Sequence, residues 1–200
     1  PAPQLADHPS LSELLAAGCD LVCGSGDKMV GGPQAGLLLG SAELVERCRV
    51  NPLYRAVRPD RACFGALEAV LRKHLIGDRL PIDRLWDGPE VLRERLERVA
   101  ERCGGEIVSA DAYVGGGAAP ERPIPGRVLA LPGDRRLLDQ LRQGEPAVVG
   151  YVRQGRVLLD LRTVDPVDDE RLVGAVEAAC ERLAGSNDEA CDEGRGEAPE

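Results

Sequence analysis

Lys28 is one of only two lysines in a chain of 200 residues, the other being Lys73, and arginine carries nearly all the remaining basic charge. It lies in a glycine-rich stretch, Gly24-Ser-Gly-Asp-Lys-Met-Val-Gly-Gly-Pro-Gln-Ala-Gly36, directly after a short apolar run, Leu21-Val22-Cys23. Two phosphate-loop readings fail on its spacing. A Walker loop sets Gly before the lysine and Ser or Thr after it, whereas Asp27 and Met29 hold those positions. A dinucleotide fingerprint counted from Gly24 and Gly26 requires Gly or Ala where Met29 stands. A third reading fits better. A lysine just past a buried strand, with glycines on both sides, can reach into a cleft while the backbone stays close to a ligand. Partial desolvation weakens its hold on the proton and leaves an amine nucleophile, the arrangement of a Schiff-base lysine that holds pyridoxal phosphate. Ser25, three residues earlier, can offer its hydroxyl to the cofactor phosphate. The competing reading is a solvated lysine in a flexible loop.

Arg55 and Arg58 form the second candidate constellation. Two guanidiniums three residues apart, pinned by Pro52 and Pro59, can converge on a phosphate-like group and bind it bidentately. Ordinary solvated arginines in an arginine-rich chain are the alternative. The seven cysteines are odd in number and contain no Cys-x-x-Cys pair, which fits neither a zinc site nor a disulfide framework. They read as scattered small apolar residues in a reducing cytoplasm. The two histidines, His8 and His74, are too far apart in sequence to suggest a Ser-His-Asp triad or a His-rich metal site.

The elements that must position these residues follow from capping and periodicity. Ser10, with Glu13 three residues on, predicts a short helix to Ala17 that Gly18 stops. Leu21–Cys23 and Leu37–Leu39 predict strands on either side of the glycine-rich stretch, the second apolar at consecutive positions and so buried on both faces. Ser41 caps a helix to about Arg49, and Asn51-Pro52 breaks it. Asp60 caps a long helix to Leu75, with Phe64, Leu67, Val70, Leu71 and Leu75 at helical spacing and Gly77 as its end.

Beyond it, helices are predicted over 88–102, 134–143 and 168–183, and strands over 106–109, 127–131, 147–152 and 156–161. The last two strands meet at Gln154-Gly155 in an antiparallel hairpin. Helices covering a small, mostly antiparallel sheet make an α+β domain. Gly115–Gly117 reads as a loop, and the polar, acidic residues from Ser186 onward as a disordered tail.

Two hundred residues allow one medium domain or two small ones, and 43% hydrophobic with 30% charged residues describes a soluble chain. With 2% aromatics, the core must be aliphatic. No apolar run approaches the roughly 18 residues of a membrane helix, and no basic-then-apolar leader opens the chain, so neither a membrane protein nor a secreted precursor is expected. The net charge of −9 argues against a general nucleic-acid binder, because phosphate contacts need concentrated positive charge. The first sixty or so residues, with two buried-type strands and two helices, cannot form a doubly covered sheet on their own. They read as the last segment of a larger α/β domain.

The pattern as a whole is specific. Ser25 to Gly36, Asn51-Pro-Leu-Tyr-Arg-Ala-Val-Arg-Pro-Asp60 and Leu67-Glu-Ala-Val-Leu71 closely resemble the L-seryl-tRNA(Sec) selenium transferases, the bacterial selenocysteine synthases. Val114-Gly-Gly-Gly117 and Gly155-Arg-Val-Leu-Leu-Asp-Leu-Arg-Thr-Val164 are similar to the same family, so the resemblance runs from about Leu11 to Leu183. It implies the C-terminal part of a fold type I pyridoxal-phosphate enzyme. Residues 1–59 would end the large α/β cofactor domain, 60–185 would be a linking helix and a small α+β domain, and 186–200 an acidic tail.

Carried over by residue, the resemblance makes Lys28 the Schiff-base lysine and Asp27 the acidic residue beside it, implicated in catalysis. Arg55 and Arg58 would bind selenophosphate. It implies that seryl-tRNA displaces Lys28 from the cofactor, that Lys28 then takes the α-proton, and that loss of water gives an aminoacrylyl intermediate to which selenium is delivered. It also implies a cytoplasmic ring of dimers, and that this chain by itself binds cofactor weakly. Two rival readings remain: a related pyridoxal-phosphate lyase of a small amino-sugar phosphate, and a non-catalytic remnant serving at most in interactions.

Overall fold

Capping side chains set the helix starts where the sequence places them. The structure, a computed structural model, describes residues 8–114 and 123–192. Helix α1 (Leu11–Ala16) opens on a reciprocal pair, in which Ser10 Oγ accepts from the Glu13 N–H and the Glu13 carboxylate accepts from the Ser10 N–H at 2.7 Å. Ser41 caps α2 (Ala42–Val50), whose end at Asn51 starts an element that the sequence reading does not contain. There the Asn51 side chain caps the five-residue helix α3 (Pro52–Ala56), with Pro52 at its first position, where a missing N–H costs nothing. Asp60 caps α4 (Arg61–Ile76), and Gly77 ends it at φ +76°.

The chain forms two compact units, divided at residues 86 and 87. The first holds residues up to Trp86 together with Tyr113–Ile124. Helix α4 falls in this first unit; the sequence reading has a boundary at 59 and 60 and takes this helix as the link to the small α+β domain. Strands β1 (Leu21–Ser25) and β2 (Gly36–Gly40) pair antiparallel, in register from Leu21↔Gly40 to Ser25↔Gly36. Residues 26–35 thus form a loop closed at its base by the hairpin. The expectation that the second strand is buried on both faces does not hold: Leu38 is 45% exposed and Leu37 and Leu39 are half-buried. Within its two-stranded sheet β2 pairs with β1 alone, and the described residues leave its leucines partly exposed.

The apolar positions of α4 divide into two stripes. Leu67 and Val70 turn toward the lysine loop, where both lie near Gly32. Phe64, Leu71 and Leu75 are exposed.

The second unit carries the extensive core. After α5 (Arg93–Cys103), strands β3 (Glu106–Ser109), β6 (Arg127–Pro132), β7 (Tyr151–Arg153) and β8 (Arg156–Leu159) form an antiparallel sheet in the order β3-β6-β8-β7. The two-residue strands β4 (Ala112–Tyr113) and β5 (Pro123–Ile124) pair separately. Alternation along β6 sends Leu129 and Leu131 to one face and Val128 and Ala130 to the other, all essentially buried. The first face packs against Leu96 of α5, Leu141 of α6 (Arg135–Gln143) and Val176 of α7 (Asp169–Asp192). This is the aliphatic α+β domain that the sequence predicts.

Local differences have local causes. α5 begins at Arg93 rather than near Gly88, because turns occupy the residues after Pro89. The strand expected over 147–152 is confined to β7, since the Val148 N–H donates to the Leu141 carbonyl at the end of α6 instead of joining the ladder. β8 stops at Leu159 because Asp160 caps a following 3-10 turn, Leu161–Thr163. α7 continues to Asp192, past the point where composition predicts loss of structure. The Gly115–Gly117 loop and the end of the acidic tail lie outside the described residues. No described helix is long and apolar enough to cross a membrane.

The candidate lysine site

The loop that carries Lys28 is knotted by its own backbone. The Gly26 N–H donates to the Ala35 carbonyl at 2.8 Å, the Gly32 N–H to the Gly26 carbonyl at 2.8 Å, and the Gly31 N–H to the Lys28 carbonyl at 3.0 Å. Gly31 takes φ +73°, and a Cβ there would lie 2.8 Å from the Ile82 Cγ2 methyl, so both conformation and contact require glycine. Asp27 and Lys28 are lifted to the tip of this knot.

Three of the predicted site residues meet there. Asp27 Oδ1 accepts the Ser25 hydroxyl proton, and Asp27 Oδ2 accepts from Lys28 Nζ at 2.8 Å. The Lys28 hydrogen bond foremost, and then that of Ser25, hold the Asp27 carboxyl below its ordinary value, so it remains ionised. The Ser25 hydroxyl, expected to reach a cofactor phosphate, donates a hydrogen bond to Asp27 in this structure. Within this chain the expected desolvation of the amine is not realised: the Lys28 side chain is 43% exposed.

Helix α4 holds the loop from one side. Cys63 Sγ donates to the Gln34 carbonyl at 3.7 Å, Leu67 and Val70 border Gly32, and His74 Nε2 meets the Val30 carbonyl at 2.8 Å. Positions 63, 67, 70 and 74 are one helical stripe. Sequence reasoning did not find His74, since it looked for histidine as a ligand or base. The signal available was its place on the stripe that begins at Cys63.

Arg55 lies in the last turn of α3 and Arg58 in the connection to α4. Both are exposed, and among the described residues neither makes an ion pair or hydrogen bond. The structure thus joins Ser25, Asp27 and Lys28 directly and leaves Arg55 and Arg58 outside that network. Between β2 and the starts of α3 and α4 is an apolar cleft of about 260 Å³, bordered by Leu38, Cys48, Tyr54, Pro59 and Cys63.

This arrangement fits pyridoxal phosphate at one point, its covalent anchor. An accessible primary amine beside an ionised carboxylate, on a loop fixed at both ends, can bind an aldehyde and later carry a proton. The nearby Ser25 hydroxyl donates to Asp27 in this structure.

A family model described as L-seryl-tRNA selenium transferase matches residues 3–165. The protein of that kind from Aquifex aeolicus is 35% identical over 171 residues, covering 79% of this chain and 38% of the relative. The one from Desulfotalea psychrophila is 37% identical over 180 residues, covering 82% and 38%, and the one from Hyphomonas neptunium 36% over 194, covering 87% and 40%. The chain therefore spans about two fifths of the length of these curated relatives. Among solved structures, a D-glucosaminate-6-phosphate ammonia-lyase superposes with a TM-score of 0.58 at 19% identity, over 88% of this chain and 48% of the lyase. That likeness is one of fold.

Proposed function

Because the chain belongs to the L-seryl-tRNA selenium transferase family, we propose that it supplies the lysine-bearing part of an enzyme that converts seryl-tRNA(Sec) to selenocysteinyl-tRNA(Sec) with pyridoxal phosphate and selenophosphate. The observation that carries the proposal is the contact between Lys28 Nζ and Asp27 Oδ2 at 2.8 Å, at the tip of a loop closed by a hairpin and clasped by a helix.

The work of this chain's own residues follows from that geometry. Lys28 holds the cofactor covalently through Nζ and, once released, is the base that takes the substrate α-proton. Bound at Lys28, pyridoxal phosphate supplies an electron sink that makes loss of this proton feasible. Asp27 keeps the amine aimed along one direction, and its charge steadies the ammonium whenever Lys28 carries a proton. Ser25 orients the Asp27 carboxylate through the second oxygen. Arg55 and Arg58, exposed and without an ion pair among the described residues, bind the selenophosphate oxygens, for which planar guanidiniums are suited. The remaining cofactor contacts and the tRNA contacts come from polypeptide or subunits beyond these residues, in a cytoplasmic homo-oligomer.

The test uses a chimera in which this chain replaces the matching stretch of the Aquifex aeolicus relative. Seryl-tRNA and amino-sugar phosphates are offered as competing substrates. Selenocysteinyl-tRNA formation that is lost with Lys28→Ala, and that needs far more selenophosphate with Arg55→Ala or Arg58→Ala, supports the reading. Undiminished product from the Lys28→Ala chimera refutes it, and turnover of the amino-sugar phosphate alone assigns the other chemistry.

A further inference from the structure

The stripe on α4 ends at a contact with consequences for the lysine. A backbone carbonyl can only accept, so in the 2.8 Å contact with Val30 O the imidazole Nε2 carries the proton and donates. Val30 is two residues beyond Lys28 and lies within the turn closed by the Gly31 N–H and the Lys28 carbonyl. The other stripe residues touch the loop farther on, Cys63 at Gln34, and Leu67 and Val70 at Gly32. His74 is thus the contact of α4 that reaches nearest to Lys28 along the chain. Among the described residues, the Lys28 amine itself is held by its neighbour Asp27. Without the imidazole, the turn over residues 28–31 keeps its internal hydrogen bond but loses its tether to the helix.

We propose that His74 is a positioning residue. By donating Nε2–H to Val30 O, it fixes the turn that aims the Lys28 amine, and it takes no part in proton transfer to substrate. This deepens the functional reading above and rests on it for the importance of Lys28.

The experiment compares the chain as it stands with His74→Ala and His74→Gln, the latter retaining a donor at the position of Nε2. Amide hydrogen exchange is read by mass spectrometry on peptides covering residues 26–35, with β6 and β8 as internal controls. Capture of Lys28 by excess pyridoxal phosphate and borohydride is read on the same samples as peptide mass, with Lys73 as the reference amine. Loss of one exposed hydrogen bond corresponds to about 2- to 12-fold faster exchange of the loop. The expected result is that increase in His74→Ala with the β6 and β8 peptides unchanged, a parallel change in the Lys28-to-Lys73 capture ratio, and return of both toward the original values in His74→Gln.

Unchanged loop exchange in His74→Ala overturns the proposal, and so does a His74→Gln variant that behaves like alanine. Exchange that rises while the Lys28 capture ratio stays fixed reduces the contact to a structural one, which also overturns the positioning role. If the cofactor-loaded chimera described above carries no adduct at Lys28 after reduction, the functional reading fails, and the positioning role with it. The exchange arm then records separately whether the tether itself exists.

Discussion

Replacing Gly31 with alanine probes how tightly the lysine loop is specified, and Gly77 supplies the control. Both glycines are left-handed, at φ +73° and +76°. They differ in surroundings: a Cβ on Gly77 meets nothing within 4 Å, whereas one on Gly31 lies 2.8 Å from Ile82 Cγ2. Gly77→Ala therefore costs the conformational term alone, about 1–2 kcal/mol. Gly31→Ala costs that term plus an overpacking term of about 1–3 kcal/mol, because the contact is well inside the roughly 3.5–4 Å carbon–carbon optimum. The sum, about 2–5 kcal/mol, corresponds to a rise of at least roughly 30-fold in loop opening. Hydrogen exchange over residues 26–35 measures it, and urea unfolding of the second unit supplies a reference that stays unchanged. Equal effects of the two substitutions on the loop would show that Ile82 does not pack on Gly31, and would refute the description of the loop as clamped on that side.

Three other outcomes are expected. The Asp27 carboxyl is held low by Lys28 and Ser25, so while the Lys28 amine is protonated its contact stabilises the loop from the unfolded carboxylate value of about 3.9 upward through neutral pH and is lost as the pH falls through the lower folded value; NMR titration of the Asp27 carboxyl checks this, and Lys28→Ala moves its midpoint upward. Burial, first of all, pushes the Cys103 thiol up to about 11, so at pH 8 it alkylates on the order of a hundredfold more slowly than exposed Cys19 or Cys23, as peptide mapping after iodoacetamide treatment would show. Leu141, fully buried at the junction of α6 with the sheet, loses about 2–5 kcal/mol on replacement by alanine, visible as a lower urea midpoint for the second unit.

The parts of the fold legible in the sequence were those with local causes. Ser10, Ser41 and Asp60 announced helix starts because a short polar side chain before an apolar period has one favourable use, and Gly77 announced a stop because glycine takes the left-handed conformation at little cost. The strands of the second unit's sheet were legible as short apolar runs, as in Val128 to Leu131. Features set by distant contacts were not. β2 reads as a doubly buried strand because three leucines run together, but burial depends on what covers the strand, and the described residues leave its leucines partly exposed. The truncation of the strand at β7 depends on a hydrogen bond from Val148 back to Leu141. At the site, Ser25, Asp27 and Lys28 were legible as a group, but the direction of the Ser25 hydroxyl was not, since a carboxylate two residues away competes with any phosphate. His74 remained invisible as a loop contact because its partner is a backbone carbonyl 44 positions earlier.

The central claim is that Lys28 is the amine to which pyridoxal phosphate attaches. Borohydride reduction of the cofactor-loaded chimera, followed by peptide mass mapping, tests it directly. Attachment at Lys28 gives a reduced pyridoxal-phosphate adduct on the peptide containing Lys28, absent in Lys28→Ala. An adduct on Lys73 or elsewhere, with the Lys28 peptide unmodified, would contradict it.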